Sequence, residues 1–298
     1  MRSTTELRHW LSLLLAGSLV LVGCTRAPTR DPLLLSGQQP AGTPEALPGQ
    51  PPPLSPLVEY AVVFVPDGEV LPVREQAGPS GKEIAQLGFD QRPLRVTGVT
   101  SMLGSSMWVE VELPGGGTGW IRAWNLTEAR TPAQACADPR LAATLDAFLV
   151  AGAAGDADAL RRSVSPGHGL AIRLDARGGE VLVAPTAVDT LTAADAQMDW
   201  LTRPEAGVAT EGRFASDVIE PLRAVVESQS PVCAQLPSGE TAVIPEWPNE
   251  YRNVNYLAFH VPADPTGSEF GWDTWAVGFE YVAGAPYVAV IIHYQGEI

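Results

Sequence analysis

The chain has 298 residues, 45% of them hydrophobic, which allows one large domain or two modest ones and excludes wholesale disorder. Its formal charge is −15 and Lys82 is its single lysine, so it has no basic cluster to hold nucleic acid or anionic lipid heads. Acidity of this kind serves solubility first and the steering of cationic ligands second.

Residues 1–23 read as an export signal. Arg2 and Arg8 mark a short basic n-region, and Trp10 to Val22 form an apolar stretch too short to span a bilayer, which needs about 20 residues. The stretch ends in Leu21-Val22-Gly23-Cys24. This resembles the lipobox of bacterial lipoproteins. The resemblance implies cleavage before Cys24 and acylation of its thiol, the nucleophilic group that such chemistry needs. Two or three acyl chains, at about 0.8 kcal/mol per buried CH2, anchor a protein stably. The implied location is the cell envelope, lipid-anchored on the outward face of a bacterial membrane, with the bilayer as first partner.

Residues 24–56 follow as linker, with nine prolines between positions 25 and 56, including Pro51-Pro52-Pro53. Proline at that density forbids helix and sheet, so a disordered, extended tether is expected, at most about 3.1 Å per residue.

Residues 57–130 then alternate apolar and polar side chains at Val58–Val65, Leu94–Val99 and Met107–Leu113. Turns are signalled at Pro66-Asp67-Gly68, Ala77-Gly78-Pro79 and Pro114-Gly115-Gly116-Gly117, so a small all-β barrel is expected. The order of its pieces resembles the bacterial SH3-type domain: Val73-Arg74 before a Gly78-Pro79-Ser80 loop, Glu83–Leu87, the hairpin Trp108–Leu113 with Thr118–Ile121, and closing Trp124-Asn125-Leu126. The stretch Thr97–Ser106 departs from it by lacking a compact turn. The resemblance implies binding of cell-wall peptide or another extended envelope ligand. Phe89, Trp108, Trp120 and Trp124 are the candidate ligand-binding side chains, since aromatic rings offer apolar area with polar edges. For Trp108 and Trp120 core and edge packing is the preferred reading, whereas Trp124 reads as the exposed platform.

Residues 138–298 change character to α+β. Asp138-Pro139 opens a helix whose Leu141, Leu145, Phe148 and Leu149 share one face, broken at Gly152–Gly155. Asp156 starts a second helix with Leu160 and Val164 inward, ending at Pro166-Gly167; further helices are expected at Ala193–Trp200 and Pro221–Glu227. Strands are expected at Leu170–Leu174, Glu180–Val183, Tyr256–Val261, Thr274–Val282 and Tyr287–Tyr294, the last two a hairpin around Ala283–Pro286. The paired helices and final hairpin resemble the nuclear transport factor 2-like cone fold, although Val232–Asn255 departs from it. The fold expected is thus multidomain: a small all-β SH3-like barrel, then an α+β domain, after a disordered tether.

Beyond Cys24 the chain has two cysteines, Cys136 and Cys233. In an oxidising envelope an even pair reads as a disulfide. Chemistry is otherwise sparse. His168 sits in a Ser-Pro-Gly-His-Gly turn and reads as exposed; Asp264, Glu269 and Asp273 lack calcium-loop spacing; no metal or cofactor motif occurs. Alternation sets Glu280 towards solvent. Two functions fit: an envelope binding or structural module, contacting cell wall or an envelope protein, or an envelope enzyme or small-ligand binder. The second would use an aromatic-lined cavity in the second block, with His260, Glu280 or His293 converging in it. The first is preferred.

Overall fold

The computed structural model describes residues 54–203, 206, 208–237, 246–263 and 271–295. The signal, Cys24, nearly all of the tether, Asp264 and Glu269 lie outside the described residues.

The fold is mostly β-sheet with a few helices. The first half forms a curled antiparallel half-barrel: β1 (Glu59–Val62), β2 (Leu71–Arg74), β3 (Glu83–Leu87), β4 (Leu94–Leu103), β5 (Ser106–Glu112), β6 (Thr118–Arg122) and β7 (Leu126–Glu128). Their order across the sheet is β3-β2-β6-β5-β4-β1-β7. Alternation works as expected: Val73, Val96, Val109, Val111 and Ile121 point inward and close one core. Thr97–Ser106 is not a loose connection. β4 runs through it to Leu103 with a register shift between Val96 and Thr100, then turns tightly at Gly104-Ser105. Gly98, at φ 90°, supplies the backbone conformation that the shift needs and other residues rarely adopt.

The second half begins with a helix that hydrophobic periodicity missed, α1 (Pro132–Cys136), which is one turn long. Its start is nonetheless written in Thr131-Pro132-Ala133-Gln134, where Thr131 and Gln134 form a reciprocal capping box. α2 (Arg140–Ala154) buries Leu141, Leu145, Phe148 and Leu149 and ends at Gly155 in the left-handed conformation. α3 (Ala157–Ser163) is capped by Asp156, whose side chain accepts the Ala159 N–H. After β8 (Leu170–Arg173) and β9 (Val181–Val183), a 3-10 segment covers Pro185–Thr192. The helix expected at Ala193–Trp200 is absent: Met198–Asp199 is instead a short strand, β10, paired with β11 (Glu211–Gly212). Trp200 takes its N–H to Asp217 and its backbone to Thr210, which an α-helix there would prevent. α4 (Glu220–Ser228) carries Pro221 in its first turn.

β12 (Val232–Cys233), β13 (Asn255–Val261), β14 (Asp273–Val282) and β15 (Ala285–Gln295) complete a six-stranded sheet of order β12-β13-β14-β15-β8-β9, in which only β15 and β8 run parallel. Both faces of this sheet are covered. The helices bury Leu257, Phe259, Trp275, Val277, Phe279 and Ile291 on one side. On the other, Trp247, Tyr251 and Val254 pack with Val63 against Ala258, Ala276, Val290 and Ile292. Gly278 sits where a Cβ would come within 3.0–3.2 Å of Val290, Val254 and Trp247.

Val63 belongs to that second layer because the half-barrel is docked on it. Asn253 donates to the carbonyls of Val62 (2.8 Å) and Phe89 (3.1 Å), Asn255 to that of Arg130, and the Glu250 backbone carbonyl accepts the Phe64 N–H at 2.8 Å. Phe64 holds φ 55°, unusual for a bulky residue, and its ring meets Trp124, His168 and Tyr251 at 4.6–5.3 Å. The half-barrel and the helix-sheet layers therefore form one compact unit.

Candidate functional site

The docking decides what the four barrel aromatics do. Trp124 is no free platform: it is half-buried, edge-on to His168 at 4.7 Å, and its carbonyl accepts from the His168 Nε2–H at 2.6 Å. Phe89 is half-buried against the barrel core, and its carbonyl is taken by Asn253. Trp108 is fully buried. Trp120 remains half-exposed on the outer side of β6, between Arg74 on β2 and Glu110 on β5.

The neighbours of Trp120 are held in place. Glu110 accepts hydroxyl protons from Thr97 (2.8 Å) and Thr118 (3.0 Å), and Arg74 donates to the Gly81 carbonyl at 2.8 Å. Exposed apolar side chains occur two strands away on either side: Met102 at 59%, Val99 at 49% and Leu103 at 43% on β4, and Ile84 on β3. Leu103 lies against the β2–β3 turn, where a Cβ on Gly78 would meet its Cδ1 at 2.9 Å. A half-exposed aromatic ring held between fixed polar flanks is a contact suited to an extended ligand.

No known family, curated protein or solved structure matches this chain. The functional reading therefore rests on the residues themselves.

The three groups weighed for catalysis do not meet. His260 lies on the sheet face that carries Trp272 and Tyr294, its Nδ1 2.7 Å from the Thr274 hydroxyl. His293 is on the opposite face, stacked on Trp275, with its Nδ1–H on the Leu174 carbonyl and its Nε2 at 2.7 Å from Asp273. Glu280 stands six residues along β14 from Thr274, about 20 Å at strand rise. Among the described residues no group of three metal-binding side chains gathers.

Glu280 and His168 instead meet each other, contrary to both expectations of exposure. The pair is buried where the half-barrel docks, with Glu280 2% and His168 5% exposed. His168 Nδ1 lies 2.7 Å from Glu280 Oε2, which also accepts the Ser165 hydroxyl at 2.7 Å. Burial opposes the charge on His168, but the Glu280 charge, their hydrogen bond and the Trp124 carbonyl outweigh it. The imidazole pKa is raised above its ordinary value. Ser, His and Glu here do not make a nucleophile. The Ser165 proton goes to Glu280 rather than to the imidazole, and Ser165 Oγ already accepts the N–H groups of Gly167 and His168. With all three side chains buried, the arrangement clamps the half-barrel to β14. The signal that would have found it is the run Trp275–Val282, nearly all apolar, which reads as a strand buried on both faces. A lone acid in such a strand needs a buried partner, and the polar turn at Ser165–His168 offers one.

Proposed function

We propose that the chain is a lipid-anchored envelope protein whose folded body binds an extended wall or protein ligand through the outer face of its half-barrel around Trp120. One observation carries this reading. Of the four aromatics expected to bind, Trp120 alone keeps a half-exposed ring free of the docking layer, on a half-barrel that also exposes Val99, Met102 and Leu103. The adjacent β5–β6 hairpin and the curled sheet support the SH3-type reading of residues 73–126. Helices α2 and α3 against the sheet that ends in the β14–β15 hairpin support the cone-like reading of the second block. In this account the second block is a rigid mount, and catalysis through His260, Glu280 and His293 is not part of it. The lipobox-like Leu21–Cys24 and the proline-rich residues 25–56 supply anchor and reach.

Two measurements test the two halves. Cys24→Ser should move the protein from the membrane fraction to the soluble fraction; retention in membranes would remove the anchor. The full chain in detergent should co-sediment with isolated cell-wall sacculi, and Trp120→Ala should weaken this about tenfold or more, the loss typical of a central aromatic contact. Unchanged sedimentation of Trp120→Ala, or none by the wild type, would remove the wall-binding face.

A further inference from the structure

Where β1 begins and α1 starts, Leu57–Glu59, Arg92-Pro93 and Glu128–Thr131 enclose an open cleft of about 520 Å3. Its apolar wall is Leu57, Val58, Pro93 and Ala129, and Leu57 is 93% exposed. That volume lies within the range of small-ligand sites. Neither Trp120 nor its flanking Arg74 and Glu110 lines the cleft.

Four charged side chains line it, and they differ in what they already hold. Glu59 is paired with Arg95 at 3.3 Å. Glu128 accepts the Gly284 N–H through both oxygens, at 3.0 and 3.3 Å. The two carboxylates are thus engaged. Arg130 lies over the Tyr281 ring at 5.0 Å, a third exposed, with its nearest carboxylate, Glu128, at 3.9 Å, too long for a good hydrogen bond. Arg92 is exposed, and its guanidinium has no hydrogen bond or ion pair among the described residues. In a chain of net charge −15, the donors of this cleft with unspent hydrogen-bonding capacity include two guanidinium groups beside an apolar wall. A planar guanidinium matches a carboxylate with paired N–H donors, and the wall suits a short aliphatic side chain.

We propose that this cleft binds the free carboxylate end of a short peptide with small apolar side chains. The carboxylate sits between Arg92 and Arg130, and the terminal side chain lies against Leu57, Val58 and Pro93.

The test is calorimetric titration of the full chain in detergent with N-acetyl-alanyl-alanine and with its C-terminal amide. The acid should bind and the amide should bind at least about tenfold more weakly, since only the acid can accept both guanidinium forks. Arg92→Gln should weaken the acid by about the same factor. Because Arg92 makes no contact that the fold needs, this variant stays informative even where Arg130→Gln melts early. Trp120→Ala should leave the affinity unchanged, which separates this site from the sacculus-binding face. Equal affinity for acid and amide would overturn the proposal, as would no binding of either, an unchanged Arg92→Gln, or full displacement by equimolar inorganic phosphate.

Discussion

Glu280→Ala should destabilise the protein by about 3–5 kcal/mol, because it breaks a buried pair: His168 must give up its proton and its partner, and the buried Ser165 hydroxyl loses its acceptor. For a body of this size that corresponds to a fall in Tm of roughly 6–20 °C. A control isolates the cause. His168→Phe with Glu280→Leu removes both charges at once and should cost less than Glu280→Ala alone, since a buried pair replaced by apolar groups is often nearly neutral. The pH dependence has a definite sign. His168 has a raised pKa in the folded protein, so its contribution is complete below the unfolded value of about 6.5 and is lost as pH rises through the folded value. The groups facing the imidazole are Glu280 from β14, the Trp124 carbonyl from the half-barrel and the Phe64 ring, and Glu280 is the one charge among them. Denaturant unfolding of the wild type should therefore show stability declining on the alkaline side. Glu280→Gln should abolish that decline, because without the charge burial keeps the imidazole neutral. An identical alkaline slope in Glu280→Gln, or a Glu280→Ala cost below about 1 kcal/mol, would show that the pair is not the clamp.

The contrast between what could and could not be read from the chain follows from which interactions are local. Strand alternation at Met107–Leu113, the helix start at Asp156 and the α2 face of Leu141, Leu145, Phe148 and Leu149 are short-range patterns, and they led to the right elements. Ala193–Trp200 has apolar spacing compatible with a helix, yet Trp200 is fixed by Asp217 and Thr210, partners that only the tertiary fold supplies. The roles of Trp124 and Phe89 were illegible, and those of His168 and Glu280 easily misread, for one shared reason. Each depends on the half-barrel packing over the second face of the six-stranded sheet, and a sheet expected to face water there makes Glu280 look solvated and Trp124 look free. A period of two tells which residues share a face, but not whether that face is covered. The open cleft lay beyond sequence reading as well, since Leu57, Arg92 and Arg130 come from three separate turns of chain.

The cysteine pair, inferred from parity, is a disulfide between Cys136 at the end of α1 and Cys233 in β12, with a Cα–Cα distance of 5.7 Å. Closing a loop between residues 97 apart removes chain entropy from the unfolded state worth up to about 4.7 kcal/mol. Cys136→Ser with Cys233→Ser should therefore lower stability by about 2–4.7 kcal/mol, and reduction of the wild type should match it. A local effect should come first. β12 has only two residues, pairs only with β13 through Val232–Ala258 and Cys233–Leu257, and leaves Val232 41% exposed. Besides the bridge, this edge is held by the Ala234 N–H on the Tyr256 carbonyl and by partly buried Cys233 and Leu236, and Cys136 is exposed, so a small thiol reductant can reach the bond without global opening. Hydrogen exchange in the reduced protein should thus speed up across residues 230–236 while amides in β14 stay protected. Equal protection of both regions after reduction, or an unchanged Tm, would mean that β12 is held by packing alone. If β12 does open, what is exposed is the edge of β13 at Leu257 and Ala258, on the side of the sheet away from β14, so the half-barrel clamp at Glu280 should survive reduction. The stability lost to reduction and that lost in Glu280→Ala should then add, as expected for sites without shared partners, and a triple variant measures that directly.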